Sequence, residues 1–469
     1  MTQAVAARSL AGDLARRALT RAAGGAFSQG NRVRLLKDAS ENYPAWLEAI
    51  ARARHHVHFE SYIIHDDELG RRFAAALVER ARAGVQVRLI YDWWGCFNTA
   101  PRRFWASLRD AGVEVRVYNR PQLDSPLSWL SRDHRKTVSV DGAIGFVSGL
   151  CVGQMWVGDP SRNVEPWRDT GVELRGPAVA DLEHAFTTLW ATLGDPIAPA
   201  ELIATGAEVG GEVALRVVAS VPQTAGLLPV SELAAALAQQ RLWLTDAYFS
   251  GTTRYLRALC DAARAGVDVR LLLPGASDIP LMKPLSRAGY RGLLESGVRI
   301  FEWDGVMLHA KTAVADSIWS RIGSTNLNPA SWFGNCELDV VIDDMAFAQQ
   351  MEQQFLDDLS RSTEVVLDAK RRVRAPPAKA PHRAARATAA GALRVGSALG
   401  AGLIRHRVLE PTEGRLLLAA ACMLAALATL TALFPRFASY GLTAVLGWLA
   451  ATFAYRGIKV MRRASRARP

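Results

Sequence analysis

His134-Arg135-Lys136-Thr137-Val138-Ser139-Val140-Asp141 and His309-Ala310-Lys311-Thr312-Ala313-Val314-Ala315-Asp316 repeat one pattern, H-x-K-x4-D, 175 residues apart. A single copy is compatible with an ordinary strand that ends in a charge. Two copies inside longer matching stretches indicate a duplicated unit and a site assembled from both parts. Upstream, Phe59-Glu60-Ser61-Tyr62 answers Thr245-Asp246-Ala247-Tyr248, and the stretch RAGVQVRL from Arg82 answers RAGVDVRL from Arg264. Downstream, Ser148-Gly149-Leu150-Cys151 stands where the second copy has Gly323-Ser324-Thr325-Asn326, and Asp169 with Val172 answers Glu337 with Val340.

Apolar runs from Val57 to Ile64, Val85 to Tyr91 and Val113 to Tyr118 read as strands, with helical patterns from Gly70 to Ala83 and Arg102 to Ala111 between them. The chain is therefore expected to be α/β. Lys136 to Val140 and Lys311 to Ala315 read as further strands. Alternation along them puts His134 beside Lys136 and His309 beside Lys311, and turns Asp141 and Asp316 to the opposite side. The two aspartates are expected to pair or cap beneath the sheet rather than join the chemistry.

Two histidines and two lysines suit displacement at phosphorus. In-line attack needs a nucleophile on one side and a proton donor to the leaving oxygen on the other, which two facing half-sites supply better than one strand. A neutral imidazole attacks to give a phosphohistidine while the other protonates the departing alcohol and later deprotonates the acceptor. Lys136 and Lys311, with Asn326 and the hydroxyls of Ser148 and Ser324, are the candidate donors to the phosphoryl oxygens. Asp169 and Glu337 are placed to accept the second N–H of a motif histidine and fix its tautomer. The scheme calls for no metal and no cofactor, and the residues alone leave the order of the two histidines open.

His309, Lys311, Asp316, Gly323, Ser324 and Asn326 match throughout the H-x-K-x4-D-x6-G-S-x-N motif of the phospholipase D superfamily, which the chain resembles from about Gly30 to Leu367; the first copy matches at His134, Lys136 and Asp141. The stretches NRVRLLKDASENYPAWLEAI and HFESYIIHDDELGRRFAAAL are similar to bacterial cardiolipin synthases, particularly their B-type branch. The resemblance implies two phospholipase D-like α/β domains related by a pseudo-twofold axis, spanning 26–205 and 206–369. It also implies transfer of a phosphatidyl group from one phospholipid to a hydroxyl of another, with His134 attacking and His309 as general acid and base. One departure stands out: synthases of this kind commonly carry Gly-Gly-x-Asn after the first motif, and here Cys151, a weaker donor, replaces that Asn. A hydrolytic phospholipase D, a nuclease and a non-catalytic lipid-binding scaffold are the other readings of the same residues.

The net charge of +11 is unevenly placed. Eighteen Lys/Arg and two acids lie between Lys370 and Pro469, so the 369 residues before them carry a net −5. A catalytic region that tracks nucleic acid would be basic itself, so no nucleic-acid partner is expected. The tail instead suits a membrane. Leu416 to Phe434 and Phe437 to Tyr455 are each nineteen uncharged residues, about one bilayer core as helix, with Pro435-Arg436 between them. The expected arrangement is a transmembrane helical hairpin at 416–455. A basic linker at 370–415 precedes it, a basic tail at 456–469 follows, and a basic helix is expected at 1–25. Positive flanks place the catalytic domains on the cytoplasmic face of the membrane, which the resemblance implies is a bacterial inner membrane carrying the anionic phospholipid substrates. Met1 to Gly25 lacks the apolar core of a secretory signal. The five cysteines show no C-x-x-C spacing, which points to a reducing compartment. Trp93, Trp94, Phe97, Leu127, Trp129, Leu130, Trp156, Trp332 and Phe333 are candidates for lipid contact.

Overall fold

The computed structural model describes residues 24–121, 130–202 and 210–367 apart from 225, 280 and 281, together with 18, 20–22, 373–374 and scattered positions between 425 and 451. The first half runs β1 (Ser28–Lys37), α1 (Asp38–Arg52), β2 (His56–Ser61), α2 (Glu68–Arg82), β3 (Gln86–Asp92), α3 (Arg102–Asp110), β4 (Glu114–Tyr118), β5 (Arg132–Asp133), β6 (Lys136–Val140), β7 (Ile144–Ser148), β8 (Thr170–Arg175) and α4 (Ala178–Thr192). The second runs β9 (Val213–Ser220), α5 (Leu228–Leu237), β10 (Arg241–Thr245), α6 (Thr253–Arg264), β11 (Asp268–Pro274), α7 (Met282–Ala288), α8 (Tyr290–Glu295), β12 (Arg299–Trp303), β13 (Thr312–Ala315), β14 (Trp319–Gly323), β15 (Asn335–Asp343), α9 (Met345–Leu359), β16 (Ser362–Leu367) and β17 (Val373–Arg374).

The two sheets have one design. In the first the order is β1-β8-β7-β6-β2-β3-β4, antiparallel as far as β2 and parallel from β2 to β4. In the second, β9-β15-β14-β13-β10-β11-β12 repeats it strand for strand, and β16 adds an antiparallel edge. The motif strands β6 and β13 thus occupy matching places beside the parallel portion. The helices follow local rules. Asp67 caps α2 by accepting from the Gly70 N–H at 2.9 Å, and Asp344 caps α9 by accepting from Phe347 at 2.8 Å. Each caps a helix whose apolar stripe then covers its sheet.

Between the halves lies a shared core in which Val147, Val172 and Leu174 pack with Val217, Ile322, Leu338 and Val340, flanked by α4 and α9. A side chain of this kind, wholly buried, contributes about 1.5–3 kcal/mol. The packing sets the two motif strands in fixed relation.

Several sequence expectations fall outside the described residues. They are the helix at 1–25 but for its last few positions, the boundary at 205/206, the linker apart from 373–374, the basic tail and most of the hairpin. The described positions between 425 and 451 are helical, and no helix among the described residues is long and apolar enough to cross a membrane.

Candidate active site

Each motif histidine is held by the other half. β5 runs alongside the start of β15, and the N–H of His134 donates to the Cys336 carbonyl at 2.9 Å. In the mirrored contact, Leu308 bridges Arg168 and the N–H of His309 donates to the Arg168 carbonyl at 2.7 Å. The residue after each acceptor is an acid, Glu337 in one case and Asp169 in the other. His134 Nδ1 consequently meets Glu337 Oε2 at 2.9 Å, and His309 Nδ1 meets Asp169 Oδ2 at 2.8 Å. The sequence gives each acid a histidine to orient; the structure adds that the partners are exchanged. With Nδ1–H donating to a carboxylate, Nε2 is the nitrogen left for chemistry.

Lys136 and Lys311 are buried, and each donates to the carbonyl of its own motif histidine. Their ammonium groups lie 5.2 Å from the Tyr62 ring and 6.0 Å from the Tyr248 ring. The same tyrosines edge onto His134 and His309, at 5.0 and 5.9 Å between centroids. The functional reading of the sequence overlooked this pair. Their signal was present, since they close the matched tetrapeptides Phe59–Tyr62 and Thr245–Tyr248.

Both imidazoles are buried: His134 and His309 are 8% and 5% exposed. Burial first, and then the Lys311 charge, lower the pKa of His309 to about 4, while Asp169 pulls the other way. Burial also lowers Lys311 to about 8, with Lys136 adding repulsion and Asp169 opposing. His309 feels Lys136 as well, so the charges of both motifs act in one place. Burial pushes Glu337 up to about 7 against the pull of Lys136. Burial acts upward on Asp169 too, but the hydrogen bond and charge of His309, the Lys311 charge and the Thr170 N–H together outweigh it and hold the carboxyl below its ordinary value. Glu337 must be ionised to accept from His134, and Lys311 must be protonated to hold an anion. kcat/KM is therefore expected to rise as pH passes upward through about 7 and to fall above about 8. Glu337→Gln should erase the acid limb near 7, which a pH series of initial rates reads directly.

The supports of the two acids differ. Ser324 Oγ donates to Glu337 Oε2 at 2.6 Å and accepts from the Leu338 N–H at 3.0 Å. Gly149 holds the equivalent place in the first half, where an added Cβ would lie 2.2 Å from Asp169 Oδ1. There the indole N–H of Trp156 donates to Asp169 Oδ2 at 3.3 Å. Ser148 Oγ accepts from the Leu150 N–H at 3.1 Å. Ser324 thus spends its hydroxyl hydrogen on Glu337 rather than on a phosphoryl group, while Ser148 accepts from a turn amide and keeps its own hydrogen to donate. Asn326 is buried, with no partner for its side-chain carbonyl among the described residues. Cys151, at the equivalent position, is buried, and burial raises its thiol pKa. Trp156 and Trp332, candidates for lipid contact, are core residues at 1% exposure.

Asp141 and Asp316 sit apart from the imidazoles, at left-handed φ of 55° and 51°. Asp141 accepts from the N–H groups of Arg54, His55 and His56, each at 2.8 Å. Asp316 does the same for Gln239, Gln240 and Arg241 at 2.8–2.9 Å. Each aspartate fastens the end of a motif strand to the turn that enters β2 or β10.

Among the described residues, one cluster has metal-ligand composition: His56, His58 and Glu183. Its rings form a stack, however, with His58 between His56 at 4.7 Å and Phe186 at 4.5 Å, and His56 Nε2 meets Glu183 Oε1 at 2.6 Å. The imidazole faces are used in packing, while the candidate ligand atoms of the three residues lie within 4.8 Å of one another.

A family model described as "Cardiolipin synthase, PLD-like domain" matches residues 46–157 and 234–359, which contain both motifs. The chain belongs to this family. Cardiolipin synthase A of Pseudomonas fluorescens (strain SBW25) is 36% identical over 382 residues, 79% of this chain and 78% of that relative. Cardiolipin synthase 2 of Bacillus anthracis is 34% identical over 344 residues, 71% and 66% of the two chains. Among solved structures, the phosphatidylserine synthase of Haemophilus influenzae Rd KW20 is similar in fold, with a TM-score of 0.58 over 75% of this chain and 91% of that one at 14% identity. The cardiolipin synthase family model covers β2 and β10, the helices beside them and all four motif His and Lys residues, so membership rests on both halves.

Proposed function

We propose that the chain is a phosphatidyltransferase that forms cardiolipin from phosphatidylglycerol and a second phospholipid. The observation that carries this reading is the exchanged pairing of His134 with Glu337 and His309 with Asp169 in a chain whose cardiolipin synthase relatives match it across both halves. His134 attacks the phosphodiester, and the alcohol departs with a proton from His309. The resulting phosphohistidine is opened by the hydroxyl of the acceptor lipid, whose proton returns to His309. Burial first, and then the lysine charges, hold His309 neutral; an anionic phosphodiester beside Lys136 and Lys311 opposes the second of these and raises the imidazole toward a proton donor. Lys136, Lys311 and Asn326 hold the phosphoryl oxygens. Burial of the imidazoles limits the access of water, which favours a lipid hydroxyl as acceptor.

The test is product analysis by mass spectrometry after incubation with phosphatidylglycerol vesicles. Cardiolipin and glycerol are expected. Phosphatidic acid without cardiolipin would assign the same site to hydrolysis and overturn the transferase reading.

We further propose that 26–205 and 206–369 are the two phospholipase D-like domains. A hairpin at 416–455 anchors them to the cytoplasmic face of the inner membrane, with the linker at 370–415 and the tail at 456–469 against anionic headgroups. Deleting Arg415 to Pro469 should move the protein from the membrane pellet to the supernatant. Sedimentation of the truncated chain with membranes would place the anchor elsewhere.

A further inference from the structure

Three large aromatic side chains follow β3 in five residues: Trp93, Trp94 and Phe97. They form one cluster, with Phe97 4.9 Å from the Trp93 ring and 6.4 Å from that of Trp94. The cluster sits open to solvent, Trp93 and Trp94 half-buried and Phe97 58% exposed, where burial inside the fold would be the default for such residues. Its position is fixed against the first motif. Asp92 accepts from the N–H groups of Trp94 and Gly95 at 2.9 Å and from Asp133, the residue before His134, at 3.0 Å. An added Cβ on Gly95 would lie 2.1 Å from the carbonyl oxygen of Tyr62, whose ring edges onto His134. The Arg132 guanidinium lies 5.3 Å from the Trp94 ring.

The second half adds to the same edge. Arg132 pairs with Asn335 across the β5–β15 ladder, and two residues earlier Phe333 is 44% exposed. Arg102 and Arg103, exposed at the start of α3, follow the aromatic loop by a few residues. Exposed aromatics with cations alongside match the headgroup zone of an anionic bilayer, where indole rings sit at the water boundary and phenyl rings reach further in.

We infer that the loop 93–97, with Phe333 from the other half, is the edge by which the site is set on the lipid surface. Phe97 and the two indoles enter the headgroup layer while Arg102 and Arg103 meet anionic phosphates. A phospholipid then presents its phosphodiester to His134 with its acyl chains still in the leaflet, which avoids the cost of extracting them. This inference rests on the transferase reading for its substrate, and names the surface through which that substrate arrives.

The test uses the full chain with two readouts. The double variant Phe97→Ser/Phe333→Ser leaves the site residues in place. Its turnover of phosphatidylglycerol vesicles should fall about tenfold, while turnover of monomeric dihexanoyl phosphatidylglycerol stays within about twofold of the parent. Unchanged vesicle turnover, or an equal loss on both substrates, would overturn the proposal. Independently of activity, a fluorophore is placed at Phe97→Cys or Arg52→Cys in a chain carrying Cys260→Ser and Cys422→Ser, reconstituted in phosphatidylglycerol vesicles with brominated lipid. Quenching at 97 but not at 52 supports docking, and equal or absent quenching at 97 refutes it. If the parent turns over neither substrate, the transferase reading falls while the quenching still decides the docking.

Discussion

His134→Ala and His309→Ala are each expected to lower phosphatidylglycerol turnover roughly a thousandfold or more, and the double variant should be little worse than either alone. Groups that act in one sequence of bond changes do not contribute independently. The two single variants should nevertheless separate when the leaving group is changed. p-Nitrophenolate departs from its phosphodiester without needing a proton, so His309→Ala should still release one equivalent of it in a burst and accumulate phosphohistidine at His134. His134→Ala should show no burst. The reverse pattern would exchange the two roles, and full turnover by either variant would contradict a shared site. Both imidazoles are buried, His309 against Trp156 and Trp167 at 5.8 and 5.6 Å, so circular dichroism and a melting curve are the control that separates lost chemistry from lost fold.

The second large effect concerns the exchanged acids. Asp169→Asn and Glu337→Gln keep shape but replace an acceptor by a group that can offer an N–H to the ring, turning the imidazole to the wrong tautomer. A loss of roughly a hundred- to ten-thousandfold in kcat follows, with KM little changed. The pairing makes a specific demand. Asp169→Asn should cost little in a His309→Ala background, because the ring it orients is gone, yet should add to the loss in Glu337→Gln. Single-turnover rates with the activated diester give the sensitivity to read these combinations. An Asp169→Asn effect that vanished in His134→Ala and persisted in His309→Ala would mean that the acids serve their own halves, against the contacts at 2.8 and 2.9 Å.

Much of this was legible in the chain. The repeated H-x-K-x4-D spacing and the flanking tetrapeptides gave the duplication, and alternation along Lys136–Val140 separated Asp141 from His134 before any coordinates. That reasoning worked because a strand has period two whatever its surroundings. The exchange of partners was not legible, since which half delivers an acid depends on how two sheets pack, and neither sequence distance nor periodicity encodes that. The role of Ser324 was hidden for a related reason: a buried hydroxyl must find a local partner, and its hydrogen goes to the Glu337 carboxylate delivered from the neighbouring strand. Trp156 was read as a lipid contact from its hydrophobicity, whereas its indole N–H supplies the donor that Gly149 cannot.

Because the backbone amide of each motif histidine is tied to a carbonyl of the opposite half, and the neighbouring acid comes with it, neither half contains a whole reaction centre. A fragment ending near residue 205 would be inert by itself, and so would its complement, while the two mixed together could restore one another. The arrangement is that of a self-paired dimer whose two copies share a single polypeptide. Joined in this way they need no longer be identical, and Gly149 against Ser324 and Cys151 against Asn326 record how far they have drifted apart.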